Sequence, residues 1–169
     1  SWGGGGGPTY GASNAPIDPG SGGGAGGYPA LIRGNGGGAV LITATHGVCV
    51  DGTITADGDF GGPDGDISGG GSGGSIFIVC RDFLSSTGGI MRARGGAGTS
   101  RDGGRSGGGG GGRIAVSAVT LDVLGTPQPG NNGTVVDGGT NTYQVIYSGY
   151  KGTVAWIRRS PAGTLFVVY

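Results

Sequence analysis

Gly107-Gly108-Gly109-Gly110-Gly111-Gly112-Arg113-Ile114-Ala115-Val116-Ser117-Ala118 is a glycine tract that stops abruptly at a short apolar strand. The same event occurs twice earlier. Gly36-Gly37-Gly38 runs into Ala39-Val40-Leu41-Ile42-Thr43-Ala44, and Gly73-Gly74 runs into Ser75-Ile76-Phe77-Ile78-Val79-Cys80. With the last glycine before each strand as origin, units start near Gly38, Gly74 and Gly112, at spacings of 36 and 38 residues. Periods of this size are the mark of stacked repeats. Each first strand alternates as a half-buried strand does, which predicts three inward ladders: Val40, Ile76 and Ile114; Ile42, Ile78 and Val116; Ala44, Cys80 and Ala118.

Working outward, a gap-free alignment of the first two units sets Val48 against Leu84, Gly52 against Gly88 and Ile54 against Ile90. The third unit loses this register after Leu121-Asp122-Val123, where Pro127 and Pro129 break the strand. Gly152-Thr153-Val154-Ala155-Trp156-Ile157 resembles a fourth start, 40 residues after Gly112. The expected organisation is one compact domain in three parts. Residues 1–37 form a glycine-rich N-terminal arch segment, 38–130 the three repeats, and 131–169 an aromatic-rich C-terminal β segment. That last part holds Tyr143, Tyr147, Tyr150, Trp156, Phe166 and Tyr169 and reads as the best-packed region.

Composition supports an all-β chain. Of 169 residues 48 are glycine and 8 proline, a level usually read as low complexity. Disorder, however, is kept open by net charge and a shortage of apolar residues, and here ten basic residues balance ten acids while Leu, Ile, Val and Phe are clustered. All ten acids are Asp, and nine of the ten basic residues are Arg. Strong helix formers are therefore scarce, and Val, Ile, Thr and aromatics supply strand propensity. Collagen requires glycine at every third position, which the run Gly3 to Gly7 breaks. Neutral charge argues against nucleic acid or an anionic membrane as partner. No apolar run approaches the roughly 18 residues of a membrane span. A start at Ser1 without Met is what a processed, exported polypeptide shows.

The tracts between strands need a structure of their own, because long structureless loops are uncommon in compact domains. At roughly 3.1 Å per residue in a threefold extended helix, such a tract runs out about 25 Å and returns. Glycine lets neighbouring backbones approach closely, and ordered backbone polar groups must find partners. The expectation is a parallel β-helix-like stack, a β-solenoid, with glycine-rich arches packed beside it as polyglycine II-like helices.

The segments Gly-Gly-Ser-Ile-Phe-Ile at 73–78, Gly-Gly-Ile-Met-Arg-Ala-Arg-Gly-Gly at 88–96 and Gly-Gly-Arg-Ile-Ala-Val at 111–116 resemble the glycine-rich repeats of large bacterial secreted and surface proteins. Those repeats are expected to be parallel β-helical. The tracts are also similar in kind to the polyglycine sandwich at the tips of some phage tail-fibre adhesins. The resemblance covers roughly residues 36–169, and no active site comes with it.

Few residues suggest chemistry. His46, the only histidine, sits in a corner between strands, where a turn role outweighs catalysis. Asp57, Asp59, Asp64 and Asp66 are weak calcium candidates; a calcium loop usually adds a bidentate Glu, which this chain lacks, and Asp beside Gly is a good turn former. Asp51, Asp57 and Asp82 are the carboxylates from which a sugar-cleaving pair would have to be drawn. Cys49 falls on the outward parity of its strand and Cys80 on the inward one, so the two do not face each other. Arg92, Arg94, Arg101 and Arg105 form a basic patch suited to ion pairing with the Asp-rich loop one unit earlier. Asn132-Gly133-Thr134 meets the glycosylation sequon. Nothing implies a cofactor.

The function expected is a secreted structural protein that assembles with copies of itself into an extracellular filament or surface layer. Neither end of the stack is capped by charge or helix, and solenoids need caps to stay soluble. Leu165, Phe166, Val167, Val168 and Tyr169 form an apolar end suited to assembly. The alternative is an adhesin tip whose Trp2, Tyr10 and Tyr28 meet a receptor or cell-surface glycan. A polysaccharide-active enzyme is the third reading.

Overall fold

The computed structural model describes residues 11–25, 33–61, 68–85, 89–101, 104–122, 134–135 and 152–161. Every regular element among them is a strand, as expected where helix formers are scarce. The first unit contributes β1 (Ala39–Thr43), β2 (Gly47–Val50) and β3 (Thr53–Thr55). The second contributes β4 (Ser75–Val79), β5 (Asp82–Ser85) and β6 (Ile90–Arg92), followed by the short β7 (Ser100–Arg101) and β8 (Gly104–Arg105). Beyond them lie β9 (Arg113–Ala118), β10 (Thr120–Asp122), β11 (Thr134–Val135) and β12 (Thr153–Arg158). The strands form three parallel sheets, in the orders β1-β4-β9-β12, β2-β5-β10 and β3-β6-β11. Among the described residues only β7 and β8 pair antiparallel.

In the first sheet Val40 pairs with Ile76, Ile76 with Ile114, and Ile114 with Val154. Ile42, Ile78, Val116 and Trp156 form the parallel ladder beside it. Each strand is entered in the same way: Ser75 N–H donates to Gly38 O, Arg113 N–H to Gly74 O and Thr153 N–H to Gly112 O, at 3.0, 2.9 and 3.0 Å.

The other two sheets correct the gap-free alignment. Val48 pairs with Phe83, not Leu84, and Ile54 with Met91, not Ile90. The corner after β1 is Ala44-Thr45-His46, whereas the corner after β4 is only Cys80-Arg81; the next connection, 86–89, is longer than its counterpart 51–52. A slip of one residue moves a strand's apolar set to the opposite face. Phe83 and Met91 are accordingly buried, while Leu84 and Ile90 are exposed.

The core runs down the middle of the stack. Ile76, Ile78, Cys80, Ile114, Val116, Ala118 and Ala93 are wholly inaccessible, and Phe83 and Met91 nearly so. A fully buried Ile or Phe contributes roughly 1.5–3 kcal/mol relative to exposure, so the second and third layers carry most of the hydrophobic stabilisation. Trp156 crosses from β12 to stack on Phe83, with ring centroids 5.7 Å apart and planes at 55°.

The glycine segments are ordered by their own backbone bonds. Along 69–74 the N–H groups point in three directions in turn. Those of Gly69 and Ser72 donate to Gly24 O and Ser21 O, those of Gly70 and Gly73 to Gly107 O and Gly110 O, and those of Gly71 and Gly74 to Asp59 O and Ala56 O. Gly34 and Gly37 donate back to Gly69 O and Ser72 O, and Gly96 to Gly71 O. A recurrence of three residues follows when each residue turns a third of a circle, where a β-strand alternates between two sides.

Candidate functional site

The two ends of the stack differ in what they present. At the β1–β2–β3 end, the inward residues Val40, Ile42, Ala44, Val48 and Ile54 pack against the core yet are only partly buried. Their partners one layer in, Ile76, Ile78, Cys80, Phe83 and Met91, are closed off. Leu41 on the outer face of β1 is 60% exposed. Among the described residues no strand pairs with the outer edge of β1, β2 or β3. These are free strand edges in the sense that invites pairing.

At the β12 end the described residues are of another kind. Trp156 folds back into the core, and its indole nitrogen is buried with no hydrogen-bond partner. Arg158 stands opposite Ala118, so a charge ends the ladder that Ala44, Cys80 and Ala118 build. Arg159 donates from its guanidinium to the Cys80 carbonyl. β12 is also not the best-packed element: its residues are half-buried or exposed, whereas those of β9 are buried except for Arg113.

The residues considered for chemistry do not converge. His46 is exposed in the corner between β1 and β2, its Nδ1 3.0 Å from Thr45 Oγ1, while its carbonyl accepts from the Arg81 and Asp82 amides. Asp57 is held by Arg92 Nε at 2.6 Å and by the Arg94 amide at 2.7 Å, an ion pair between consecutive layers. Asp59 accepts from Asn35 Nδ2 at 3.0 Å. Both carboxylates are thus occupied in joining glycine segments. Among the described residues no group of three or more potential metal ligands is present. Asp82 opens β5, 3.9 Å from Arg81, and Asp51 lies between β2 and β3.

Cys49 is an exposed free thiol and Cys80 a buried one. Burial pushes the Cys80 thiol up from its ordinary range, offset in part by the charge of Arg159 and a backbone hydrogen bond at Val48. Trp2, Tyr10, Tyr28, Asp64, Asp66, Asn132 and Leu165 to Tyr169 lie outside the described residues, as do the side chains of Arg101 and Arg105.

Hydroxyls missed in the sequence close the ends of the glycine array. Thr99 Oγ1 accepts from the Ser68 amide at 2.8 Å, and Ser106 Oγ donates to Ser68 O at 2.6 Å and accepts from the Thr99 amide at 2.8 Å. Ser72 Oγ accepts from the Ser21 amide at 2.7 Å. Their signal was present as isolated Ser and Thr flanking glycine runs.

No family model matches the chain, and no curated protein or solved structure matches it. No helix of the described residues is long and apolar enough to cross a membrane. Function therefore has to be argued from the geometry.

Proposed function

We propose that the chain is a β-solenoid, stiffened by a polyglycine II-like array, and that it serves as a structural protein of an extracellular filament or surface layer, associating with copies of itself. The observation that carries this reading is the β1–β2–β3 layer, whose apolar core residues are only partly buried and whose outer edges have no strand beside them among the described residues. Such a layer invites a second copy, because its edge strands supply both the backbone groups and the apolar side chains for a contact. The solenoid description is supported by the three parallel sheets, each taking one strand per repeat, and by the threefold bonding of the glycine segments. A non-catalytic role fits the engagement of Asp57 with Arg92 and of Asp59 with Asn35. The extracellular location rests on the resemblance of the glycine-rich units to secreted and surface repeats.

Light scattering after size exclusion, across a concentration series, tests self-association directly, and negative-stain microscopy shows its form. A particle that keeps the monomer mass at the highest concentration reached would remove the proposal.

A further inference from the structure

We infer that the first step of assembly is a closed, face-to-face pair: two copies meet through their β1–β2–β3 layers, with β1 antiparallel to β1 of the other copy. This inference rests on the self-association reading above and adds the partner surface and its symmetry.

The end layers decide between the two ways of stacking. In a head-to-tail stack, β12 of one copy continues the first sheet beside β1 of the next. The ladders then set Trp156 against Ile42 and Arg158 against Ala44, by the register that β12 already holds on β9. That places a guanidinium over an apolar interior, and among the described residues none of the inward positions Val40, Ile42, Ala44, Val48 and Ile54 offers a carboxylate to meet it. Burying an unpaired charge is strongly unfavourable. The β1 end has the opposite character. Its inward positions Val40, Ile42, Ala44, Val48 and Ile54 are all apolar, so the surface is complementary to itself, as a twofold contact requires.

The strand arrangement is compatible with such an axis. A twofold perpendicular to the stack, passing near Leu41 at the centre of β1, reverses strand direction and the order in which the sheets are met. It therefore sets β1 against β1 and β2 against β3 of the other copy, each pair antiparallel and able to form ladder hydrogen bonds. The layer that takes part runs from Arg33 to Gly61, matching the roughly 20–30 residues a side of a standard interface. A closed pair also hides the free edges, which a head-to-tail stack leaves open at its growing end.

The test uses the whole chain with Cys49→Ser, with and without Leu41→Cys. Leu41 is on the outer face and exposed, so the cysteine leaves the core intact. Opposed residues in an antiparallel pair have Cβ atoms about 4.5–5.5 Å apart. Light scattering is expected to give twice the monomer mass, and mild oxidation of the Leu41→Cys chain a covalent dimer. Val40→Lys, which can extend its charge to solvent from the open end, is expected to return the protein to a monomer with an unchanged circular dichroism spectrum. Fibres that grow by single subunits, with no dimer at low concentration and no cross-link through position 41, would overturn the closed pair while leaving self-association standing. A monomer at every concentration would overturn both. A dimer that neither cross-links through position 41 nor responds to Val40→Lys would place the contact elsewhere and overturn this inference alone.

Discussion

Gly109→Ala and Gly107→Ala differ by two positions in one tract, and the structure predicts opposite signs for them. A Cβ on Gly109 would fall well inside 3.0 Å of the carbonyl oxygen of Gly71 and would also press on the Ser72 amide nitrogen. Those atoms are backbone, held by further hydrogen bonds, and cannot rotate away. Overpacking of this kind costs about 1–3 kcal/mol. Displacing the segment also weakens the bond from Gly109 N–H to Gly96 O, now 2.8 Å, worth about 1 kcal/mol. A Cβ on Gly107 meets nothing within 4 Å, so Ala there only restricts the unfolded chain and stabilises by about 0.4–1 kcal/mol. At ~2–4 °C per kcal/mol for a chain of this size, Gly109→Ala lowers the midpoint of thermal unfolding by roughly 5–15 °C and Gly107→Ala raises it slightly. Circular dichroism melts of the two variants beside the parent settle the matter. Equal, small shifts would mean that the tract is a loop and that the close backbone approach is wrong.

Other consequences are simpler to measure. Asp57→Asn keeps the acceptor for the Arg94 amide but loses the ion pair to Arg92, and is expected to lower stability by about 1–2 kcal/mol in chemical denaturation. A thiol reagent should modify Cys49 at once in the folded protein and Cys80 only on unfolding, with Cys49→Ser abolishing the fast phase. Because burial raises the Cys80 pKa in the folded state, its contribution is intact below the thiol's ordinary range and is lost as pH rises from that range through the raised folded-state value, so a denaturation series should show an alkaline decline that Cys80→Ala reduces. Trp156→Ala removes the ring stacked on Phe83 and should cost about 3 kcal/mol, read as a fall in thermal midpoint.

The first sheet was legible because each glycine tract ends where its strand begins, so Gly38, Gly74 and Gly112 align the strands without any knowledge of the corners between them. The second and third sheets were misaligned because the corner lengths differ between layers and alternation alone cannot see a one-residue slip. A further signal was available in the charges. If Leu84 faced inward, Asp82 would share its face and be buried; if Ile90 did, so would Arg92. Keeping those charges outward puts Phe83 and Met91 inside, as observed. The threefold bonding was foreseen as a type of packing, but which tract touches which was not, since glycine carries no side chain to mark a face. Nor could the contact between Phe83 and Trp156 be read from spacing, because it joins strands of different sheets in non-adjacent layers.

The polar residues inside the glycine tracts follow from the same geometry. Where a Cβ would point at a neighbouring carbonyl oxygen, as at Gly71, Gly96 and Gly109, only hydrogen fits, and it faces that oxygen as a weak C–H···O contact. Polar side chains sit at other positions of these segments. Ser21 and Ser72 bond to one another there, Asn35 reaches Asp59, and Thr99 and Ser106 close on Ser68. Contact therefore holds Gly71, Gly96 and Gly109 as glycine, whereas Gly24 and Gly107, whose Cβ positions are open, are not so held. The segment 69–71 bonds to segments on several sides. The glycine segments already supply many of their backbone groups with partners across three directions, whereas the outer edges of β1, β2 and β3 have no described strand beside them. The self-pairing surface should therefore lie on the sheets rather than on the glycine tracts, and substitutions at Val40 should disturb association at positions where those at Ser21 do not.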